Sequence, residues 1–273
     1  MTTATFNPTV AQATAAGFFP GRHTVEVTEV TELAPGIVRF TIRDSYIAAH
    51  AKPAQFVNLF SHDPMRMLPR PFGVSEVHDD MVSLIFAVVG KGTEEFAAMH
   101  AGDMIDVLGP LGHSFNTKEP AHYVLVGGGL GVPPLIYTAQ RLAERDDSAA
   151  TAVFGYRNDH FADQFVSAFV DTRSIDESEG NVITLLDRME DELTTDRADG
   201  LKSVILSCGP IPMMKAVAQW ATSRGIPCQL SMEQRMGCGY GTCVACVVDT
   251  VEGRKKVCSD GPVFTAQQLG WEA

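Results

Sequence analysis

The stretch HYVLVGGGLGVPPLIYTAQRLAER, residues 122–145, decides the fold class. It opens on a continuous apolar run, of the kind found in strands buried on both faces. Four glycines follow (Gly127, Gly128, Gly129 and Gly131), and then a helical stretch. A glycine turn between strand and helix lets backbone N–H groups and a helix start approach a pyrophosphate, although tight turns are often glycine-rich for geometric reasons alone. Downstream the pattern continues: AATAVFGYR reads as a strand, HFADQFVSAFV as a helix, NVITLLD and SVILSCG as two strands, and IPMMKAVAQWATSRG as a helix. Strand and helix in alternation predict an α/β domain with a parallel sheet, set at residues 118–227. In SVILSCGPIPMM the residues Cys208, Gly209 and Pro210 end a strand on the same sheet edge as the glycine turn, where ligands of open α/β sheets bind.

Upstream, residues 22–117 have a β texture. HTVEVTEVTEL, GIVRFTIRD, AQFVNLFS and MVSLIFAVVG are short apolar, β-branched runs separated by Pro, Gly and Asp, which predicts an antiparallel barrel or sandwich. One helix, TEEFAAMH, is expected with Thr93 as its N-cap. Arg70 in LPRPFGVSEV and the pair Gly92 and Thr93 in VVGKGTEEF are candidate phosphate contacts, and Gly90 shares that helix start. The first glycine of a Walker A loop is missing from Gly-Lys-Gly-Thr. Residues 1–21 read as a loose leader with neither a basic signal region nor a membrane-length apolar run, so the chain is expected to be cytoplasmic.

The 273 residues suit two domains and a small appendage, and 45% hydrophobic with 20% charged residues describes a globular chain. A net charge of -12 argues against a nucleic-acid binder, which needs a basic face. Six cysteines in a reducing compartment are poor candidates for disulfides. Four of them gather in residues 238–273, within the C-terminal segment set at residues 228–273, in the order Cys238-x4-Cys243-x2-Cys246 and then Cys258. That spacing is the plant-type 2Fe–2S pattern. Gly237, Gly239 and Gly241 let so short a loop wrap a compact cluster and turn its N–H groups toward the sulfurs. A zinc site and a redox pair of Cys243 with Cys246 are the alternatives.

The order of parts is RPFG and GKGT in a barrel, GGGLGVPPL and CGPIPMM in an α/β domain, and then SMEQRMGCGYGTCVAC. From about residue 22 onward this resembles the ferredoxin-reductase-like superfamily, and within it the electron-transfer subunits of NAD-dependent dihydroorotate dehydrogenase. The resemblance implies an α+β multidomain chain: an antiparallel β-barrel holding FAD, an α/β parallel-sheet domain holding NAD, and a small C-terminal iron–sulfur segment. By position, Arg70, Pro71, Phe72 and Gly73 would line the flavin, with Phe86, Ala87 and Val88 beside it. Gly92 and Thr93 would hold its pyrophosphate, Gly127, Gly128, Gly129, Gly131, Cys208, Gly209 and Pro210 would frame the nicotinamide nucleotide, and Cys238, Cys243, Cys246 and Cys258 would ligate the cluster. The family motif reads Arg-Pro-x-Ser where this chain has Gly73. A backbone N–H at Gly73, or Ser75 turned inward, would have to stand in for the serine hydroxyl.

The resemblance further implies a partner, an FMN-containing subunit that oxidises dihydroorotate in pyrimidine biosynthesis, within a symmetric heterotetramer. Electrons would pass through the cluster and FAD to NAD+, because flavin exchanges electrons both in pairs and singly. An apolar surface near residues 232–248 would bury against that subunit. Two other readings use the same residues. One is the flavin subunit of a ferredoxin-dependent NAD(P) reductase or sulfur-reducing hydrogenase; the other is a non-catalytic binding protein stabilised by zinc.

Overall fold

The computed structural model describes residues 21–272, so the leader, apart from Gly21, lies outside the described residues. The β texture upstream closes into a barrel rather than a sandwich. Its strands are β1 (His23–Ala34), β2 (Ile37–Arg43), β3 (Phe56–Phe60), β4 (Arg70–His78), β5 (Met81–Ala87) and β6 (Met104–Leu111). They are ordered β1-β2-β5-β4-β3-β6 around the barrel. Alternation drives the closure: Val25 and Val27, Phe40 and Ile42, Val57 and Leu59, and Ile105 and Val107 fill one interior. Helix α1 (Ser45–His50) follows β2, and α2 (Lys91–Ala97) follows β5. Phe96 of α2 adds to the barrel core beside Phe72 and Phe86, whose rings stack at 4.6 Å.

Helix α2 corrects one expectation. Its N-cap is Gly90, and Thr93 is the third helical residue. The Thr93 hydroxyl folds back to accept the N–H groups of Val89 at 2.9 Å and Gly90 at 3.1 Å, so it stiffens the turn from inside the helix.

The second domain contains β7 (His122–Gly128), α3 (Pro133–Ala143), β8 (Ala149–Tyr156), α4 (Asp163–Val166), β9 (Asp171–Asp176), α5 (Val182–Arg188), α6 (Glu190–Thr194), β10 (Ser203–Cys208), α7 (Ile211–Thr222) and β11 (Cys228–Ser231). The C-terminal segment adds a hairpin of β12 (Val247–Thr250) and β13 (Gly253–Lys256), then α8 (Val257–Asp260), β14 (Val263–Thr265) and α9 (Ala266–Leu269). The large sheet runs β14-β11-β10-β7-β8-β9 and is parallel except for its edge strand β14.

NVITLLD is a helix, not a strand. The Asn181 side chain caps α5 by accepting from Ile183 N at 2.9 Å and Thr184 N at 3.4 Å, and Val182, Leu185 and Leu186 bury one helical face. The neighbouring strand is the polar DTRSID of β9, and HFADQFVSAFV keeps only the four helical residues of α4. The cysteine-rich end is not a separate body. Cys246, Cys258 and Phe264 share one buried cluster with Val124, Leu230 and the barrel residue Phe56. Among the described residues, no helix is long and apolar enough to cross a membrane.

Candidate functional site

Three sets of candidate residues meet where the barrel wall faces the sheet domain. The first is on β4. Arg70 opens the strand, donates to the Leu68 carbonyl, and lays its guanidinium across Gly92, where a Cβ would overlap it. Among the described residues it makes no ion pair with a carboxylate. An unpaired guanidinium beside first-turn amides, which have no intrahelical partner, suits a pyrophosphate. Pro71 and Gly73 share the outer barrel face with their ladder partners Asn58 and Phe56. Phe86 points the other way, into the barrel core, so the outer face receives only its backbone; Ala87 and Val88 are half-buried.

The second set lies along the C-terminal edge of the sheet. Gly127 pairs with Cys208 of β10, and Gly128 with Gly155 of β8. Gly131 packs against the Cys208 carbonyl, and Gly128 against Met213 and Pro210, so closely that a Cβ at either position would collide. Gly129 takes a φ of +52° and Gly209 one of +154°, which favours glycine at both. The turn opens onto a cavity of about 900 Å³ lined by Gly128, Gly129, Tyr156, Arg157, Glu177 and Pro210, among others. Arg157 and Glu177 pair across its rim at 3.6 Å. Burial pushes the Cys208 thiol up to about 12, so at neutral pH it is an uncharged packing group at the strand end.

The third set is the cysteine loop. Cys238 and Cys243 pair thiol to thiol, as do Cys246 and Cys258. Backbone N–H groups converge on the sulfurs: Cys243 N on Cys238 Sγ at 3.4 Å, Gly241 N on Cys258 Sγ at 3.2 Å and Cys258 N on Cys246 Sγ at 3.5 Å. Burial opposes ionisation of Cys238, yet the N–H groups of Cys243 and Tyr240, the Cys243 thiol and the N–H group of Thr242 outweigh it and bring that thiol to about 6. Cys258 goes the other way, to about 12, through burial and its neighbour Cys246. Among the described residues no three His, Cys, Asp or Glu side chains gather around one point that could hold a single metal ion. Two thiol pairs suit a binuclear cluster, in which each iron takes two protein ligands.

Further residues join the site that motif reading did not identify. Lys256 Nζ donates to the Gly241 carbonyl at 2.6 Å and fixes the loop, and Pro134 of α3 packs against Gly73. Asn58 Nδ2 donates to the Cys238 carbonyl at 2.9 Å. The available signal for Asn58 was one polar residue inside the apolar strand FVNLF.

The family model for the iron–sulfur cluster binding domain of dihydroorotate dehydrogenase B matches residues 233–270. The electron transfer subunit of dihydroorotate dehydrogenase B (NAD(+)) from Bacillus velezensis is 38% identical over 253 residues, 88% of this chain and 95% of that protein. The subunit of the same name from Clostridium acetobutylicum is 31% identical over 91% of this chain and 97% of its own. Among solved structures, an NADH-dependent reduced ferredoxin-NADP oxidoreductase studied for flavin-based electron bifurcation superposes with a TM-score of 0.80. It is 28% identical, over 93% of this chain and 92% of that one. A Neisseria gonorrhoeae ferredoxin NADP+ reductase with bound FAD and NADP shares the fold, with a TM-score of 0.62 at 17% identity over 76% of this chain and 92% of that one.

Proposed function

This chain belongs to the family of electron transfer subunits of NAD+-dependent dihydroorotate dehydrogenase B, and from that premise we propose how its residues divide the work. Electrons enter from dihydroorotate oxidised in the catalytic partner and leave as NADH, by way of a 2Fe–2S cluster and FAD. When bound, flavin supplies the exchange between hydride transfer, two electrons at once, and the single electrons an iron–sulfur cluster carries.

Every other part of the task falls to the chain's own side chains. Arg70, with Gly92 and Thr93 at the helix start beside it, binds the flavin pyrophosphate, and Pro71 and Gly73 line its ring from the outer barrel face, where Pro134 packs against Gly73. Ala87, Val88 and the backbone of Phe86 close the next strand. The turn Gly127–Gly131 and the strand end Cys208–Pro210 hold the nicotinamide nucleotide, reached from the cavity at the sheet edge. Glu177, already paired with Arg157, disfavours a 2′-phosphate there, which supports NAD over NADP. Cys238 with Cys243 holds one iron, and Cys246 with Cys258 the other. The thiolates need a reducing compartment, in keeping with the cytoplasm.

The observation that carries the reading is the pair of cysteine pairs, packed against the barrel face that bears Pro71 and Gly73. The test is to purify the chain anaerobically with the FMN-containing catalytic subunit of its source, and to follow NADH formation from dihydroorotate. Activity should depend on this chain. Cys243→Ala should abolish that activity while NADH still reduces an artificial acceptor through FAD. Equal loss of both activities would mean that the cysteine loop holds the fold rather than the electron path.

A further inference from the structure

Asn58 is out of character for its strand. Val57 and Leu59 on either side fill the barrel core, while Asn58 points outward, opposite Pro71 across the β3–β4 ladder, and is still fully buried. Its amide is divided in its bonding. Nδ2 donates to the carbonyl of Cys238 at 2.9 Å, whereas Oδ1, equally buried, meets no protein donor. Gly239 closes the contact from the loop side. It takes a φ of +80°, and a Cβ there would overlap the Asn58 amide. A buried, unpaired amide oxygen carries a desolvation cost that an apolar side chain of similar size would avoid. Packing alone therefore gives no reason for an asparagine at this position.

We infer that Asn58 is a positioning residue: it ties the backbone of Cys238 to the barrel face carrying Arg70–Gly73, and so sets the geometry across which single electrons pass between the flavin and the iron–sulfur cluster. The tether is well placed for this. It joins residues 180 apart in sequence, one on the wall proposed to support the flavin and the other a proposed cluster ligand. It needs no proton of its own. When bound, the flavin would supply the exchange between a two-electron hydride from NADH and single electrons, and the cluster would take up one electron for each that the flavin gives. Asn58 only holds the two sides in register, and its N–H dipole close to Cys238 also bears on the cluster's potential.

This inference rests on the proposed function, and the test separates the two. Holoprotein of the full chain, purified anaerobically as wild type and as Asn58→Leu, is mixed with NADH in a stopped-flow cell. Flavin and cluster absorbance are followed separately, and the reduced cluster is examined by electron paramagnetic resonance. FAD content and the rate of flavin reduction should match wild type. Cluster reduction should be about tenfold slower, within the scale on which small misplacement of reacting groups is felt. The resonance line shape and midpoint potential should shift. Wild-type cluster reduction with an unchanged spectrum would overturn the inference, as would loss of FAD, which would make Asn58 a flavin ligand instead of a loop tether. Should Asn58→Leu fail to accumulate, Asn58→Asp is measured instead. It keeps the shape but sets an oxygen against the Cys238 carbonyl, and a normal rate there would overturn the inference equally. A wild-type protein in which NADH reduces no cluster at all would refute the proposed function rather than the role of Asn58.

Discussion

Gly73 is the one position where the chain departs from the serine usual at the end of the Arg-Pro-x-Ser run, and the departure has a steric cause. A Cβ at Gly73 would lie 2.8 Å from Cγ of Pro134, inside any real contact distance. The proline ring at the start of α3 occupies the space a side chain would need. Ser75 does not replace the missing hydroxyl on the outer face. It is fully buried, accepts from Ile85 N at 3.1 Å and donates to the Gly73 carbonyl at 3.5 Å, so it serves an irregularity in the barrel wall. Of the two stand-ins open to sequence reasoning, only the backbone of Gly73 is left. Gly73→Ser should therefore destabilise the protein by about 1–3 kcal/mol through overpacking, seen as a lower melting temperature. Pro134→Ala in the same chain should recover most of that loss, giving a clear coupling energy in a double-mutant cycle. Additive losses would show that the serine finds room without touching the proline.

Among the elements, the first turn of α1 illustrates charge at work in the barrel. Asp44 caps that helix, its Oδ1 accepting from Tyr46 N at 2.9 Å and Ile47 N at 3.0 Å, while Oδ2 meets Nε2 of His23 on β1 at 2.6 Å. Burial works against a charged His23, but the Asp44 carboxylate and the Gly21 carbonyl outweigh it and hold its pKa above the usual value. A histidine raised in the folded state contributes stability that is complete below its unfolded value of about 6.5 and is lost as pH rises through the folded value. The melting temperature of wild type should thus exceed that of His23→Gln most at about pH 5.5, and the gap should narrow by about pH 8.5. A gap constant across that range would mean that the imidazole matters only for its shape. Elements also mark where sequence reading succeeds and fails. The cysteine spacing, the glycine turn and the alternating barrel strands were legible because each rests on local chemistry or a short period. NVITLLD was not, since an apolar run of that length fits a strand or a helix, and the cap at Asn181 settles which. β9 was hidden for the opposite reason: an edge strand with Asp171, Arg173 and Asp176 has little apolar signal. The partners of Cys238 lay beyond any motif, because Asn58 reaches it only through tertiary packing.

For the molecule as a whole, α3 acts as the joint that makes one unit of two domains. The Gln140 amide imitates a strand neighbour, donating to the Val77 carbonyl at 2.6 Å and accepting from Val77 N at 3.3 Å, while Tyr137 Oη donates to the Ala51 carbonyl at 2.9 Å. The helix that opens at the nucleotide turn is thus also pinned to the strand proposed to carry the flavin, so the two candidate cofactor sites keep a fixed relation. The cysteine loop completes the unit asymmetrically. Cys246 and Cys258 sit in the shared core, but Tyr240 and Val244 on the same loop are 55% and 74% exposed. Apolar side chains held outward beside a proposed cluster ligand, in a chain of net charge -12, are where the proposed electron path would place the catalytic subunit. Val244→Asp adds a charge to this tip, and a desolvated unpaired carboxylate is costly in an interface. The variant should keep its iron and its reduction of the cluster by NADH, yet fail to co-purify with the catalytic subunit and lose dihydroorotate-dependent NADH formation. Size-exclusion chromatography of the mixed subunits, with iron analysis of the variant alone, reads both halves of that expectation. A Val244→Asp chain that still elutes as the full complex would move the docking face away from the cysteine loop.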